Sequence, residues 1–437
     1  MMNQQEFKQK ETGKISKEWD VVTIEEICKV RRGASPRPIG DPSFFSHIGR
    51  GWIRISDVTE TYKFLRKTSQ YLSKKGEERS VKVNPGDLIM SICATIGKPI
   101  ILDMKACIHD GFVWFSELSS KANVEYLFYV LQKNEITFSS KRQTGTQGNL
   151  NTTLVGKTLI SLPPLPEQQK IAEILSTVDM AIEKADEAIE KTQRVKKGLM
   201  QELLTGRRQT VDSKQGKRKR EFKETEIGRI PKEWQLMRLD ELGDNDNAIV
   251  AGPFGSNLKV SDYKSSGIPI IRLQNIERNQ FITKDIKYIS NEKAKELNYH
   301  SYRPGDLILA KLGDPIGKTC IIPPCVKAGI VVADVVRIRL SLQKVTIRFV
   351  EYMLNSSICF KQLQKETIGS TRPRVNITQV RNLKLPIPTL PEQQKIAEIL
   401  STVDTRLGIL RKRKEKMERI KKGLMNDLLT GKKRVKR

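Results

Sequence analysis

The fifteen residues LPEQQKIAEILSTVD stand at 165–179 and again, unchanged, at 390–404. A phrase this long, repeated 225 positions later, constrains the chain more than any other feature: whatever element it builds is built twice, and the fold is two copies of one plan. The correspondence extends outward in order. GKISKEW (13–19) answers GRIPKEW (228–234), IRI (53–55) answers IRL (271–273), and NPGDLIM (84–90) answers RPGDLIL (303–309). IGK (96–98) matches 316–318, VEY (124–126) matches 350–352, and KKGLMQELLTG (196–206) answers KKGLMNDLLTG (421–431). The offset drifts from 215 to 226 through the globular stretches and settles at 225 in the terminal one, so insertions fall in the former.

The repeated phrase opens a helix. Pro166 supplies the fixed φ suited to a first helical position, and Glu167 complements the positive end of the helix dipole. Ile171, Leu175, Val178, Ile182, Ala185 and Ile189 then recur at alternating steps of four and three, as do Ile396, Leu400, Val403, Leu407 and Leu410, which is a heptad seam in each copy. Gly206 and Gly431 are placed as C-terminal caps. Pro166 to Leu204 is 39 residues, about 58 Å of helix at roughly 1.5 Å per residue. A rod with one apolar stripe needs a partner, and the charges nominate the other copy: Glu183, Asp186, Glu187 and Glu190 are acidic where Arg411, Lys412, Arg413 and Lys414 are basic. Antiparallel pairing brings those clusters face to face. Gly198 and Gly423, inside both helices at a cost of about 1 kcal/mol each relative to Ala, suggest a close backbone approach.

Each globular stretch alternates short β-rich runs (DLIMSI, KPIIL, GFVWF; DLILAKL, TCIIP, VVRIRL) with turn pairs, and then carries one amphipathic helix, near NVEYLFYVLQKN and IRFVEYMLNSSICFKQLQ. The fold class is therefore α+β: two similar α/β-type domains separated by two long helices that form an antiparallel coiled coil, a pseudo-twofold internal repeat. The expected boundaries are a first domain at 1–162, a helical region at 163–206, a basic linker at 207–221 that cannot bury a core, a second domain at 222–387, and a second helical region with a basic tail at 388–437.

Lys and Arg number 78 against 50 Asp and Glu, a net charge of +28, which points to a polyanion and first of all to nucleic acid. No run approaches the roughly 18–20 apolar residues of a membrane span, and MMNQQEFKQKETGK has no apolar signal core, so a cytoplasmic location is expected. Six cysteines without CxxC spacing and three scattered histidines offer no metal site. GDPIGKT (313–319) has one residue too few between its glycines for a phosphate loop and reads as a turn between strands, like CATIGKP (93–99). Asp87 with Asp103 and Lys105 imitates a nuclease metal site, but the second copy has Pro323 in place of Asp103, which marks an accident. Neither an NPPY-like loop nor a cofactor glycine turn is present, so the sequence offers no adenine-methyltransferase site of its own.

Base edges are read by planar side chains and phosphates by Lys, Arg and backbone amides. Loops rich in these types nominate Arg31, Arg32, Arg37, Lys141, Arg142, Gln143, Thr144, Thr146, Gln147 and Asn149 in the first domain. In the second they nominate Ser256, Asn257, Lys259, Gln274, Asn275, Thr371, Arg372 and Arg374. Asn151 and Asn376 occupy matching positions and fit a shared structural turn as well as recognition. Two diverged basic domains on paired rods suit a split DNA target with unlike halves.

The chain resembles the specificity subunit of type I restriction–modification systems. The resemblance rests on LPEQQKIAEIL followed by KKGLMxxLLTG, twice, and on GPFGSNLKVSDY…GIPIIRLQNI (252–276) and GSTRPRVNITQVRNLKLPIPTLPEQQ (369–394); the first domain differs, with RRGASPRPIGDP where the second has GPFGSNLK. It implies a non-catalytic DNA-binding subunit without a cofactor of its own. The implied partners are double-stranded DNA, two modification subunits that methylate adenine N6 from S-adenosylmethionine and, through them, restriction subunits that use ATP and Mg. A stand-alone DNA-binding regulator or architectural protein explains the charge and the duplication equally, but not the near-identity of the helices.

Overall fold

A computed structural model describes residues 7–10, 13–16, 18–140, 150–209, 220–365 and 373–435 of the chain. It divides into two compact units, Met1–Ala188 with Leu410–Arg437, and Ile189–Ile409. Each unit thus contains one globular domain, the beginning of one long helix and the end of the other.

In the first unit one sheet has the order Lys29–Arg32, Phe112–Ser116, Leu88–Ser91, Pro99–Leu102, Phe64–Leu65. A second has the order Phe45–Ser46, Gln70–Leu72, Arg50–Ile53, Ala106–Ile108, Val81–Val83. The second unit repeats the scheme with Ile249–Ala251, Val335–Ile338, Leu307–Ala310, Thr319–Ile321, and with Lys287–Ile289, Ile268–Ile271, Gly329–Val331, Ser301–Tyr302. Even the strand directions agree, for Arg50–Ile53 runs parallel to Ala106–Ile108 as Ile268–Ile271 does to Gly329–Val331. The runs DLIM and DLIL are apolar throughout because alternate side chains enter different cores. Leu88 and Met90 pack towards the helices while Ile89 packs between the sheets, and Leu307 and Leu309 are divided from Ile308 in the same way. The stretches 93–98 and 313–318 are turns between strands, as their sequences predict. Asp87 accepts from Asn84 N at 2.6 Å and Asp103 from Arg66 Nε at 3.1 Å, ordinary turn and surface contacts.

The amphipathic helices correct the sequence alignment. VEY on VEY would equate Tyr126 with Tyr352, but the helices are Val124–Lys133 and Ile347–Leu354, with Asn123 and Thr346 at their N-cap positions. Gln168 Oε1 accepts from Asn123 N and Gln393 Oε1 from Thr346 N, each at 2.8 Å. Tyr129 donates to Asp179 at 2.6 Å and Tyr352 to Asp404 at 2.7 Å. Tyr352 is therefore the counterpart of Tyr129, one helical turn away from the letter match. The single helix expected over 347–364 is also divided, into Ile347–Leu354 and Ser357–Lys365. Asn355 at the break turns its amide onto the backbone of Thr319, accepting at 3.1 Å and donating at 2.7 Å.

The long helices are Leu165–Leu204 and Leu390–Leu428. Ile171, Leu175, Ile182 and Ala185 are buried on the first, and Ile396, Leu400 and Leu407 on the second, as the heptads require. Gly206 and Gly431 cap them with φ of +68° and +67°, the left-handed region that favours glycine. Within the first unit Asp179 pairs with Lys421 at 2.9 Å and Asp186 with Lys414 at 2.7 Å, so position rises on one helix as it falls on the other: the segments are antiparallel. In the second unit Lys196 pairs with Asp404 at 2.6 Å. Asp186 and Lys414 belong to the facing charge clusters; Glu190 instead holds Arg194 on its own helix at 2.6 Å. The seam continues past its apolar part, and Lys196 and Lys421 occupy equivalent core positions on it.

Each helix start is clamped to its domain. Trp19 Nε1 donates to Glu167 at 3.1 Å and Trp234 Nε1 to Glu392 at 3.0 Å. Arg434 closes the first site with two hydrogen bonds to Glu167, at 2.8 and 2.9 Å. Arg220 closes the second with two at 2.9 Å. The basic linker and basic tail read from composition therefore each end a structural contact. Gly198 and Gly423 contradict the expected close approach, because a Cβ on either would meet nothing within 4 Å. Both lie on exposed helix surface.

Candidate nucleic-acid interface

One edge of each domain gathers three segments, two of which border nominated loops. In the first unit the chain leaves the strand Lys29–Arg32 at Gly33, whose N–H donates to Phe112 O at 2.9 Å. The hairpin turn joins there through Ile92 N to Gly111 O at 2.9 Å, and the chain beyond residue 149 returns through Leu150 N to Ile92 O at 3.2 Å. The second unit makes the same three bonds: Gly252 N to Val335 O at 3.0 Å, Lys311 N to Asp334 O at 2.9 Å, and Val375 N to Lys311 O at 3.0 Å. Gly33 and Gly252 are structural counterparts, although the loops they open share little sequence. A Cβ on Gly33 would sit 2.1 Å from His109 O, and one on Gly252 2.1 Å from Val332 O, so glycine alone lets these backbones meet.

The edge holds several of the nominated side chains. Arg31 pairs with Glu117 and lies over the Trp114 ring, 5.8 Å from its centroid. Asp110 gathers the rest of the first site, accepting from Ser35 at 2.6 Å and Arg37 at 3.3 Å, while its backbone oxygen accepts from Arg32 Nε at 2.8 Å. The Ser35 hydrogen bond holds the Asp110 carboxyl below its ordinary value. In the second unit Arg374 donates to Asp334 at 2.9 Å, beside Lys311, whose ammonium burial pushes below the usual lysine range. These guanidiniums are exposed and aimed by carboxylates, an arrangement that presents charge-assisted donors to an incoming anion.

The remaining candidates are placed differently. Ser256 donates to Asn257 at 3.3 Å, and Lys259 opens a short turn through its N–H to Asp262 at 2.7 Å. Gln274 donates to Asp285 at 2.8 Å, in a cluster where Lys287 and Arg272 hold that carboxyl down to about 2. Asn275 is fully buried, accepting from Arg272 N at 3.0 Å and donating to Ile282 O at 2.9 Å and Lys284 O at 3.2 Å; it shapes the loop and offers no surface to a base. Asn151 and Asn376 are helix N-caps, accepting from Leu154 N at 2.8 Å and Gln379 N at 2.9 Å. Lys141, Arg142, Gln143, Thr144, Thr146, Gln147, Asn149, Thr371 and Arg372 lie outside the described residues, as does the linker core 210–219.

Sequence reasoning missed Asp110, Asp334 and Lys311, which no local motif marks, and the seam lysines Lys196 and Lys421. The signal for the lysines was present in the heptad spacing carried on past Ile189 and Leu410 into KKGLM. Among the described residues no helix is long and apolar enough to cross a membrane, and no group of three His, Cys, Asp or Glu is placed to hold a metal ion.

Comparison with known proteins agrees with this architecture. The pattern of the type I restriction modification DNA specificity domain matches residues 16–191 and 231–419. The type I restriction enzyme MjaVIII specificity subunit of Methanocaldococcus jannaschii is 27% identical over 99% of this chain and 97% of its own length. The crystal structure of the type I restriction–modification S subunit from M. genitalium superposes with a TM-score of 0.59 at 13% identity, covering 95% of this chain and 96% of that one. A chain from a structural study of complex assembly and conformational transition of the type I R-M system gives 0.53 at 18% identity, with 95% and 99% covered. With two matched repeats that take in most of its length, this chain belongs to the type I restriction modification DNA specificity family, whose domain recognises DNA sequence.

Proposed function

We propose that the chain recognises a bipartite, asymmetric DNA target, one half-site per unit, and directs a modification and restriction machinery to it. The observation that carries this reading is a contrast between the two copies. The edge hydrogen bonds are repeated atom for atom, while the side chains set on them differ: Arg32, Ser35 and Arg37 around Asp110 in one unit, Arg374 and Lys311 around Asp334 in the other. Equal scaffolds with unequal side chains suit two readings of unlike sequences. The long helices belong to both units, so they are the elements able to set the gap between the readings.

The two ends of each helix, LPEQQKIAEILSTVD and KKGLMxxLLTG, are repeated almost unchanged, which suits two copies of one partner. Val195 and Ile420 are equivalent, exposed and apolar, and three residues on stand the bare glycines Gly198 and Gly423. An apolar side chain beside a residue without Cβ admits a partner helix closely. We assign these surfaces to two modification subunits that bring S-adenosylmethionine and transfer its methyl group to adenine N6, with restriction subunits that use ATP and Mg recruited through them. The test is co-purification with a modification subunit from the same genome. Gly198→Trp with Gly423→Trp should abolish it while leaving the chain's own melting temperature unchanged. Tight, specific DNA binding by the chain alone, with no such partner, would instead make it a stand-alone regulator.

A further inference from the structure

The segment between Gly252 and the strand Ile268–Ile271 carries two of the most exposed apolar side chains among the described residues, Phe254 at 84% and Val260 at 79%. Isolated surface apolars are common and need no explanation, but Phe254 is held out on a fixed loop. Gly252 pins one side against Val335 O, Leu258 is buried in the core with Ile270 and Ile289 on the other, and Asn257 N closes a turn onto Phe254 O at 2.9 Å. An exposed aromatic ring on an anchored loop has paid its ordering entropy before any ligand arrives. Its surroundings are cationic and polar: Lys259 and Asn257 lie on the same loop, and Asp334, which aims Arg374, immediately precedes the Val335 that holds Gly252.

We infer that Phe254 is an intercalating wedge, which enters a base-pair step of the half-site read by the second unit and partly unstacks it. Apolar side chains projecting from a basic loop do this in proteins that kink DNA, and a ring recovers stacking that the step loses. The aromatic ring has no counterpart at the equivalent position. Ser35 takes the equivalent place in the first unit, two residues beyond Gly33, and its hydroxyl is committed to Asp110 at 2.6 Å. A wedge in one half only would make that half-site sensitive to step flexibility, favouring pyrimidine–purine steps at positions no side chain contacts by hydrogen bond.

This inference rests on the bipartite reading above. The test uses the full chain with its modification partner and duplexes carrying 2-aminopurine at successive steps of each half-site, away from the methylated adenine. Wild type should brighten one step in the second unit's half-site and none in the other. Phe254→Ala should abolish that signal and weaken binding to that half-site about tenfold, the scale of one lost stacking contact, with Phe254→Leu intermediate and Ser35→Ala silent in the second half-site. Unchanged fluorescence and affinity in Phe254→Ala would overturn the wedge while leaving two half-sites standing. Loss of partner co-purification with DNA affinity intact would overturn it too, because the ring would then be a protein contact. A wild-type complex with no separable half-sites would remove the wedge together with the reading beneath it.

Discussion

Lys421 places its ammonium 2.9 Å from the carboxylate of Asp179, at a seam position where the heptad would ordinarily take an apolar side chain. Tyr62 and Gln132 also accept from it, at 2.8 and 2.7 Å, and the Tyr62 ring lies 4.7 Å from its nitrogen. The equivalent pair in the second unit, Lys196 with Asp404, is more open: side-chain exposures are 18% and 30%, against 9% and 3%.

That difference predicts unequal costs for one substitution. Lys421→Met leaves a buried carboxylate without its cation and should destabilise the first unit by about 3 kcal/mol. Lys196→Met, in a better-solvated site, should cost about 1 kcal/mol. Thermal unfolding of each variant checks this, and Asp179→Asn combined with Lys421→Met should recover much of the larger loss. Equal costs would show that burial does not decide the strength of these pairs.

The last six residues, KKRVKR, look like a basic tail, yet Arg434 completes the Trp19–Glu167 clamp. Arg434→Ala should destabilise the first unit by about 2 kcal/mol, the scale of hydrogen bonds to a buried charge, and truncation after Gly431 should do at least as much. A truncation that lowers DNA affinity without lowering the melting temperature would return the tail to a purely electrostatic role.

Glu351 gives a pH dependence. Its carboxyl is buried, which raises its pKa, with Arg348 pulling the other way. A raised native pKa contributes stability that is complete below the ordinary glutamate value of about 4.3 and is lost as pH rises through the raised value. Glu351→Gln keeps an acceptor for Ile321 N, which now sits 3.0 Å from Oε1. The variant should therefore gain on wild type as pH goes from about 4 to about 7. A melting-temperature difference that stays flat over that range would contradict this.

Gly252→Ala should perturb one half-site alone. The added Cβ would meet Val332 C and O at 2.1 Å and force the loop off its anchor, whereas Gly198→Ala meets nothing. The first variant should lose selectivity in the second unit's half-site with the other intact, and the second should be neutral or gain up to about 1 kcal/mol in the isolated chain. Selectivity profiles of bound or methylated sites check the first, and unfolding checks the second.

The rods and the duplication were legible because each rests on period and identity, which survive without knowledge of three-dimensional partners. Ile171 to Ile189 announced their face by spacing alone, and the turns at 93–98 and 313–318 by their glycines. What failed depended on partners distant in the chain. VEY matched VEY by letters, but Gln168 and Gln393 set the true register, and Lys421 is explained by Asp179, Tyr62 and Gln132, all far away in sequence. Gly198 and Gly423 were read as close contacts because glycine in a helix usually needs a reason inside the fold; here the space beside them is open. Among the DNA candidates, residue type found the edge around Asp110 and Asp334, yet it also picked Asn275, whose amide is consumed by three backbone groups.

Mapping methylated adenines in cells that express the chain with its modification subunit tests the central claim most directly, for wild type and for a variant with four residues inserted into each long helix. Two unlike half-sites at a fixed gap are predicted, with the gap longer by about two base pairs in the variant, since four residues add about 6 Å, and both half-site sequences unchanged. A single unbroken recognition block, or an insertion that rewrites the half-sites and leaves the gap alone, would contradict it.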